Sequence, residues 1–211
     1  AKAKAKAKSK PAMKAAAKKL AKAKAKAKAK SKPAMKAAGQ RLASILEPGE
    51  ESTDPARKKA SRQKAAPVSE ITDDIQAIWQ DMVDTMEDMP GVGLAAPQIG
   101  EMLRLAVIDA SEGRGEAILM ANPEILQSSK NLYEFYEASP NLPGQAAKMK
   151  RPKVVSVQFL NADGILEKRD FEDLWSTSVQ HQTDHLNGKM FFDNLSKVRR
   201  DILLRKVRKP K

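Results

Sequence analysis

The first third of the chain limits what the remainder can build. Residues 1–16, AKAKAKAKSKPAMKAA, return unchanged as residues 23–38, an internal repeat with a period of 22 residues. Alternating Ala and Lys offers no apolar stripe at helical or strand spacing, and like charges repel. This block is therefore expected to be disordered in isolation. A stacked repeat would need a buried face, and the pattern supplies none. Charge divides at the same place. Residues 1–66 hold 21 Lys+Arg against 4 Asp+Glu, a net of +17; residues 67–211 hold 18 against 22, a net of −4; the sum is the +13 of the whole chain. Pro48, Gly49, Pro55 and Pro67 mark residues 47–67 as a linker. The domain is thus assigned to residues 67–211, long enough for one core.

The tail, residues 1–66, resembles the Lys/Ala/Pro-rich tails of linker histones and of some nucleoid and ribosomal proteins. It is expected to hold nucleic acid, ribosomal RNA above all, through counterion release without reading sequence; the alternative is a solvated or targeting extension. Cysteine is absent, so no disulfide and no thiolate metal ligand can form. No apolar run approaches a membrane span or a secretory leader, which predicts a soluble intracellular or organellar protein without membrane contact.

The chain has two histidines, His181 and His185. Four residues apart on a helix, both imidazoles share one face and one metal ion could reach both; a packed surface pair is the alternative. Leu174, Trp175, Val179 and Leu186 recur at helical intervals, with Asp170 or Asp173 available as N-cap and Asn187-Gly188 as the stop. In a His-Glu-x-x-His helix the Glu takes the proton from metal-bound water. Here that position is Gln182, which keeps the size and cannot accept the proton.

Ile71, Ile75, Ile78, Trp79, Met82, Val83 and Met86 predict an amphipathic helix capped by Ser69 and closed by Pro90-Gly91. Leu103–Asp109 and Glu116–Ala121 read as strands. Lys153–Asn161 reads as another, turned by Asn161-Ala162-Asp163-Gly164 into a strand through Ile165 and Leu166.

Three stretches carry a resemblance to the peptide deformylase family. Gly91-Val92-Gly93-Leu94-Ala95-Ala96-Pro97-Gln98-Ile99-Gly100 resembles the first motif, Gly-x-Gly-Leu-Ala-Ala-x-Gln-Ile-Gly, at every fixed position. The second motif, Glu-Gly-Cys-Leu-Ser-x-Pro-Gly, falls on Glu137-Ala138-Ser139-Pro140-Asn141-Leu142-Pro143-Gly144, and the third on Gln180-His181-Gln182-Thr183-Asp184-His185-Leu186. The resemblance implies an α+β fold in which antiparallel sheets pack around a central His-x-x-x-His helix, preceded here by the disordered basic tail. It gives Gln98 the role of oxyanion donor and makes His181 and His185 metal ligands, with Gln182 a degenerate catalytic position. The third ligand, a Cys, is Ser139, whose hydroxyl stays protonated near pH 7. The residue whose N–H completes the oxyanion hole is Pro140, which has no N–H. Where relatives place an Arg facing the substrate, this chain has Gln145-Ala146-Ala147.

These departures predict a deformylase-like pseudoenzyme on the ribosome. No cofactor is expected, and a divalent iron, zinc or nickel ion only where a substitute ligand exists, Glu137 being the candidate carboxylate. The alternative is an active deformylase that removes formyl groups from nascent formyl-methionine. Residues 196–211 carry 8 Lys+Arg against Asp201 and predict a helix whose Lys197, Arg199, Arg200, Arg205, Lys206 and Arg208 would face ribosomal RNA; the family's C-terminal helix is similar in place. The expected partners are the ribosome and nascent peptides. The expected compartment is bacterial cytoplasm or the mitochondrial or plastid matrix.

Overall fold

A computed structural model describes residues 62–207 apart from Pro90, Asn141 and Pro143, with the side chain of Val207 also left out. The repeats, most of the linker and residues 208–211 lie outside the described residues, and with them the disorder expected of the tail. Everything described belongs to one compact unit.

The first helix, α1, spans Asp73–Asp88 and starts at Thr72, whose side chain accepts the backbone N–H of Ile75, rather than at Ser69. Five strands, β1 (Gly93–Ala95), β2 (Leu105–Ile108), β3 (Ile118–Ser128), β6 (Val154–Leu160) and β7 (Leu166–Glu172), make an antiparallel sheet in the order β1-β2-β3-β6-β7. β4 (Leu132–Ala138) and β5 (Ala146–Pro152) pair separately; their strand character was not expected from sequence. The central helix α2 runs Asp173–Leu186 and α3 runs Lys197–Val207. Glu172, not Asp170 or Asp173, occupies the N-cap of α2, and Asp173 takes φ +52. Among the described residues no helix is long and apolar enough to cross a membrane.

The four residues of β2 are all buried because helices cover both faces of the sheet there. Leu105 and Val107 join α1 residues Trp79, Met82 and Met86 in one cluster. The intervening Ala106 and Ile108 join Val179 and Leu186 of α2, with Val155, Val157 and Phe159 of β6, in another. A two-residue period thus feeds two cores, one with each helix. α2 is enclosed on several sides and buries Ser176, Thr177, Ser178, Gln180 and Thr183. Such polar groups are costly unless paired. Ser178 Oγ donates to Val92 O at 2.8 Å, and Ser176 Oγ and Gln180 Nε2 donate to Pro152 O at 2.9 and 3.0 Å.

β1 lies so close to α2 that a Cβ on Gly93 would meet Ser178 Oγ at 2.6 Å and Gln182 Nε2 at 2.8 Å. Gly93→Ala is therefore expected to lower stability by about 1–3 kcal/mol through overpacking, read as a lower urea midpoint at unchanged slope; an unchanged midpoint would show that α2 does not press on β1.

Residues 62–66 already pack on the domain, ahead of the boundary expected at residue 67. Ala65 N–H donates to Leu186 O at 2.9 Å, and Ala66 bridges Leu103. Gly188, at φ +71, ends α2 beneath this strap, and a Cβ there would stand 2.4 Å from Arg62 O.

Candidate functional site

A cavity of about 540 Å³ opens between β1, β4 and α2. Its polar end is formed by Gly93, Gln98, Ser139, His181 and Gln182; Met89, Val92, Phe135, Tyr136 and Leu174 make the apolar remainder. Helical spacing brings His181 and His185 together as expected, with Nε2 atoms 3.1 Å apart. Ser139 Oγ lies 3.3 Å from His185 Nε2 and 3.4 Å from Gln98 Nε2. Gln98 Oε1 accepts the Ala95 N–H at 2.8 Å, which turns its NH₂ toward Ser139 and the cavity. Gln98, Gln182, His181, His185 and Ser139 thus share one site. Pro140 also lines it and donates nothing.

Behind the histidines lies an arrangement that the sequence did not reveal. Arg151 of β5 holds Glu137 of β4 through both carboxylate oxygens, Nε to Oε1 at 2.6 Å and Nη2 to Oε2 at 2.9 Å, and its Nη1 donates to Asp184 at 2.9 Å. Glu137 Oε2 also lies 2.8 Å from His181 Nδ1. Burial pushes the Glu137 carboxyl up, yet hydrogen bonds from His181 and Arg151 and the Arg151 charge outweigh it and hold the group below its ordinary range. An ionised Glu137 accepts from Nδ1–H, so the His181 lone pair sits on Nε2, facing His185. Glu137, the candidate substitute ligand, lines the cavity with both carboxylate oxygens engaged by Arg151 and by His181 Nδ1. The one clue in sequence was Arg151 on the same strand face as buried Met149: an arginine among inward positions calls for a buried acid.

His185 is buried, and this, followed by the charges of His181, Arg151 and Arg62, lowers its pKa well below 6.5. The unfolded chain then binds a proton that the folded chain refuses, so stability is complete above the unfolded pKa and declines as pH falls below it. Below about pH 6.5 stability is therefore expected to fall with pH, by at most about 1.4 kcal/mol per pH unit for one proton, and His185→Gln should flatten that slope in thermal melts. An equally steep slope in the variant would assign it to other groups.

Two buried polar atoms at the cavity wall, Gln182 Oε1 and Thr177 Oγ1, have no hydrogen-bond partner among the described residues. A native protein leaves few such groups.

The candidate nucleic-acid residues lie elsewhere. Lys197, Arg199, Arg205 and Lys206 are exposed on α3 and Arg200 is half-buried; none lines the cavity, and Arg208 is outside the described residues.

Paired strands around a buried helix that carries two convergent imidazoles, His181 at the cavity wall and His185 beside it, define an α+β fold. Residues 54–201 match the Polypeptide deformylase family. A peptide deformylase of Brucella suis biovar 1 (strain 1330) is 41% identical over 150 residues, which cover 70% of this chain and 86% of the relative. One from Caulobacter vibrioides is 40% identical over 147 residues, 69% of this chain and 85% of that one. The crystal structure of a Legionella pneumophila peptide deformylase superposes with a TM-score of 0.66 at 39% identity, covering 72% of this chain and 94% of that one. The chain belongs to the polypeptide deformylase family.

That family is typically metal-dependent. The donors present here do not fit a tightly held ion: two imidazoles and one hydroxyl converge, and the nearest described carboxylate, Glu137, is engaged by Arg151 and by His181 Nδ1. Among the described residues no group of three or more His, Cys, Asp or Glu could hold a metal. His₂ with a neutral hydroxyl binds a divalent ion far more weakly than His₂ with a thiolate.

Proposed function

We propose that this chain is a deformylase-family protein without deformylase turnover, one that keeps the peptide pocket and associates with the ribosome. The carrying observation is the commitment of Glu137 to Arg151 at 2.6 and 2.9 Å and to His181 at 2.8 Å. With that carboxylate engaged, the described residues of the cavity wall include no other acid to act as base or third ligand, and Ser139, Pro140 and Gln182 occupy the positions where thiolate, N–H and carboxylate would act. The cavity still suits an apolar N-terminal side chain, with Gln98 NH₂ and the unpartnered Gln182 Oε1 placed for the C=O and N–H of an acylated amine. The exposed bases of α3 and the basic tail supply the charge for ribosomal RNA. The compartment would be one where translation starts with formyl-methionine: bacterial cytoplasm, or the mitochondrial or plastid matrix.

One observation favours the alternative of an active metal-dependent deformylase: His181 Nε2, His185 Nε2 and Ser139 Oγ converge within 3.1–3.3 Å of neighbouring atoms. That reading needs Ser139 to ligate as an alkoxide, which its hydroxyl resists near pH 7. Elemental analysis of the purified chain, with a formyl-Met-Ala turnover assay and ribosome co-sedimentation at physiological salt, tests both. The proposal expects substoichiometric metal, no turnover and a ribosome-bound fraction. Stoichiometric zinc, iron or nickel with turnover would establish the alternative, and loss from the ribosome pellet would remove the partner.

A further inference from the structure

β4 and β5 form a two-stranded ribbon whose faces differ in character. Strand alternation sets Glu137, Met149 and Arg151 on one face, all buried, and Leu132, Glu134, Tyr136, Lys148 and Lys150 on the other, all exposed. The register places Tyr136 directly opposite Lys148 and Glu134 opposite Lys150. Tyr136 borders the cavity, yet 66% of its surface stays open. An exposed aromatic side chain set beside cations is the kind of platform on which a nucleobase stacks.

The charge on this face is in surplus. Glu134 pairs with Lys148 and, at 2.8 Å, with Lys150. Arg199, at the start of α3, donates to Lys148 O at 3.2 Å and so brings a third cation beside the same strand. Three cations against one carboxylate leave a net of +2. An ammonium has three donors, so each lysine keeps donors for a phosphate after pairing with Glu134. Two residues apart on one strand face, Lys148 and Lys150 have Cα atoms about 7 Å apart, a separation suited to successive phosphates of an extended strand. Other occupants fit less well. A peptide added as a strand would use the ladder edge, not this face. A membrane would need a broader apolar surface, whereas Leu132 and Tyr136 stand about 13 Å apart along β4 with Glu134 between them. A duplex keeps its bases stacked on one another and offers none to Tyr136.

We propose that the open face of the β4–β5 ribbon binds single-stranded nucleic acid, with a base stacked on Tyr136 and the neighbouring phosphates held by Lys148, Lys150 and Arg199. The site carries no base-edge reader, so it accepts any sequence that can expose a base. It stands apart from the ribosome reading: stacking needs an unpaired base, which a purely electrostatic grip does not.

The experiment titrates the full-length chain with a short oligouridylate, an RNA duplex of equal length and polyglutamate of matched charge, and compares Tyr136→Ala, Tyr136→Phe and Glu134→Gln. Thermal melting checks that each variant is folded, and the charge of the tail is common to all of them, so it cancels in the ratios. Tyr136→Ala is expected to weaken oligouridylate binding by about fivefold to a hundredfold and Tyr136→Phe to restore it. Glu134→Gln should tighten binding and steepen its salt dependence by about one phosphate contact. An iodouridine-labelled oligouridylate irradiated with wild type should crosslink at Tyr136, located by mass spectrometry. Unchanged affinity in Tyr136→Ala, or crosslinks confined to residues outside β4, β5 and α3, would overturn the site. An equal Tyr136→Ala loss with the duplex or with polyglutamate would overturn base stacking, and displacement of the strand by excess formyl-Met-Ala would move it into the cavity and overturn the face. A chain that crosslinks at Tyr136 yet fails to sediment with ribosomes would sink the ribosome reading and leave this one standing.

Discussion

If the proposal of a chain without turnover holds, Ser139→Cys, Pro140→Leu and Gln182→Glu in one chain are expected to raise deformylase kcat/KM over the parent by about 10⁴ or more. Each change restores a separate part. Cysteine supplies an anionic third donor 3.3 Å from His185 Nε2, where Ser139 Oγ now lies. Leucine restores a backbone N–H, and one oxyanion donor contributes about 10²–10³. Glutamate restores a general base, which contributes about 10²–10⁴. These factors act as a unit and are not additive, so single restorations should recover little. The measurement is formyl-Met-Ala turnover together with metal content by elemental analysis. A parent as active as the triple variant would end the pseudoenzyme reading; a triple variant that binds one metal and still fails to turn over would show that turnover depends on residues outside these three positions.

Arg151→Met is expected to cost about 3–5 kcal/mol of folding stability, seen as a large drop in the urea midpoint. The Arg151 side chain is 9% exposed, Glu137 3%, and Arg151 also reaches Asp184. Removing the guanidinium leaves a carboxylate buried without its counter-charge, held only by His181. Glu137→Leu in the same background should recover part of the loss, because replacing both partners by apolar groups removes the unpaired charge. The recovery should be incomplete, since His181 Nδ1 then loses its acceptor. If the double variant were less stable than Arg151→Met, the pair would not be the source of the cost. Arg151→Met should also release the His181 ring from its orientation, so the Ser139→Cys variant should bind metal less well with methionine at 151 than with arginine.

α2 and its histidines were legible because a fixed helical period and an Asn-Gly stop are local properties. The β4–β5 pair was not. Leu132, Phe135 and Tyr136 are 56%, 38% and 66% exposed, while the one residue of β4 that is buried is Glu137. A strand whose burial pattern inverts its hydrophobic pattern leaves no alternation to read. The helix caps differed for a similar reason: Thr72 and Glu172 were selected by where the chain turns into the fold, which propensity ranks only weakly.

By itself the sequence determined that the first third of the chain has no apolar face to bury, that the remainder is one α+β domain of the deformylase family, and that no cysteine can serve as a ligand. It also placed two imidazoles one turn apart, since that follows from helical pitch alone. Only the tertiary structure decided what Glu137 does. Its partner Arg151 sits on the neighbouring strand, and whether that charge turns toward the carboxylate depends on the pairing of β4 with β5 and on burial beneath α2. A buried carboxylate is governed by the nearest counter-charge, and nearness across strands is a property of the fold.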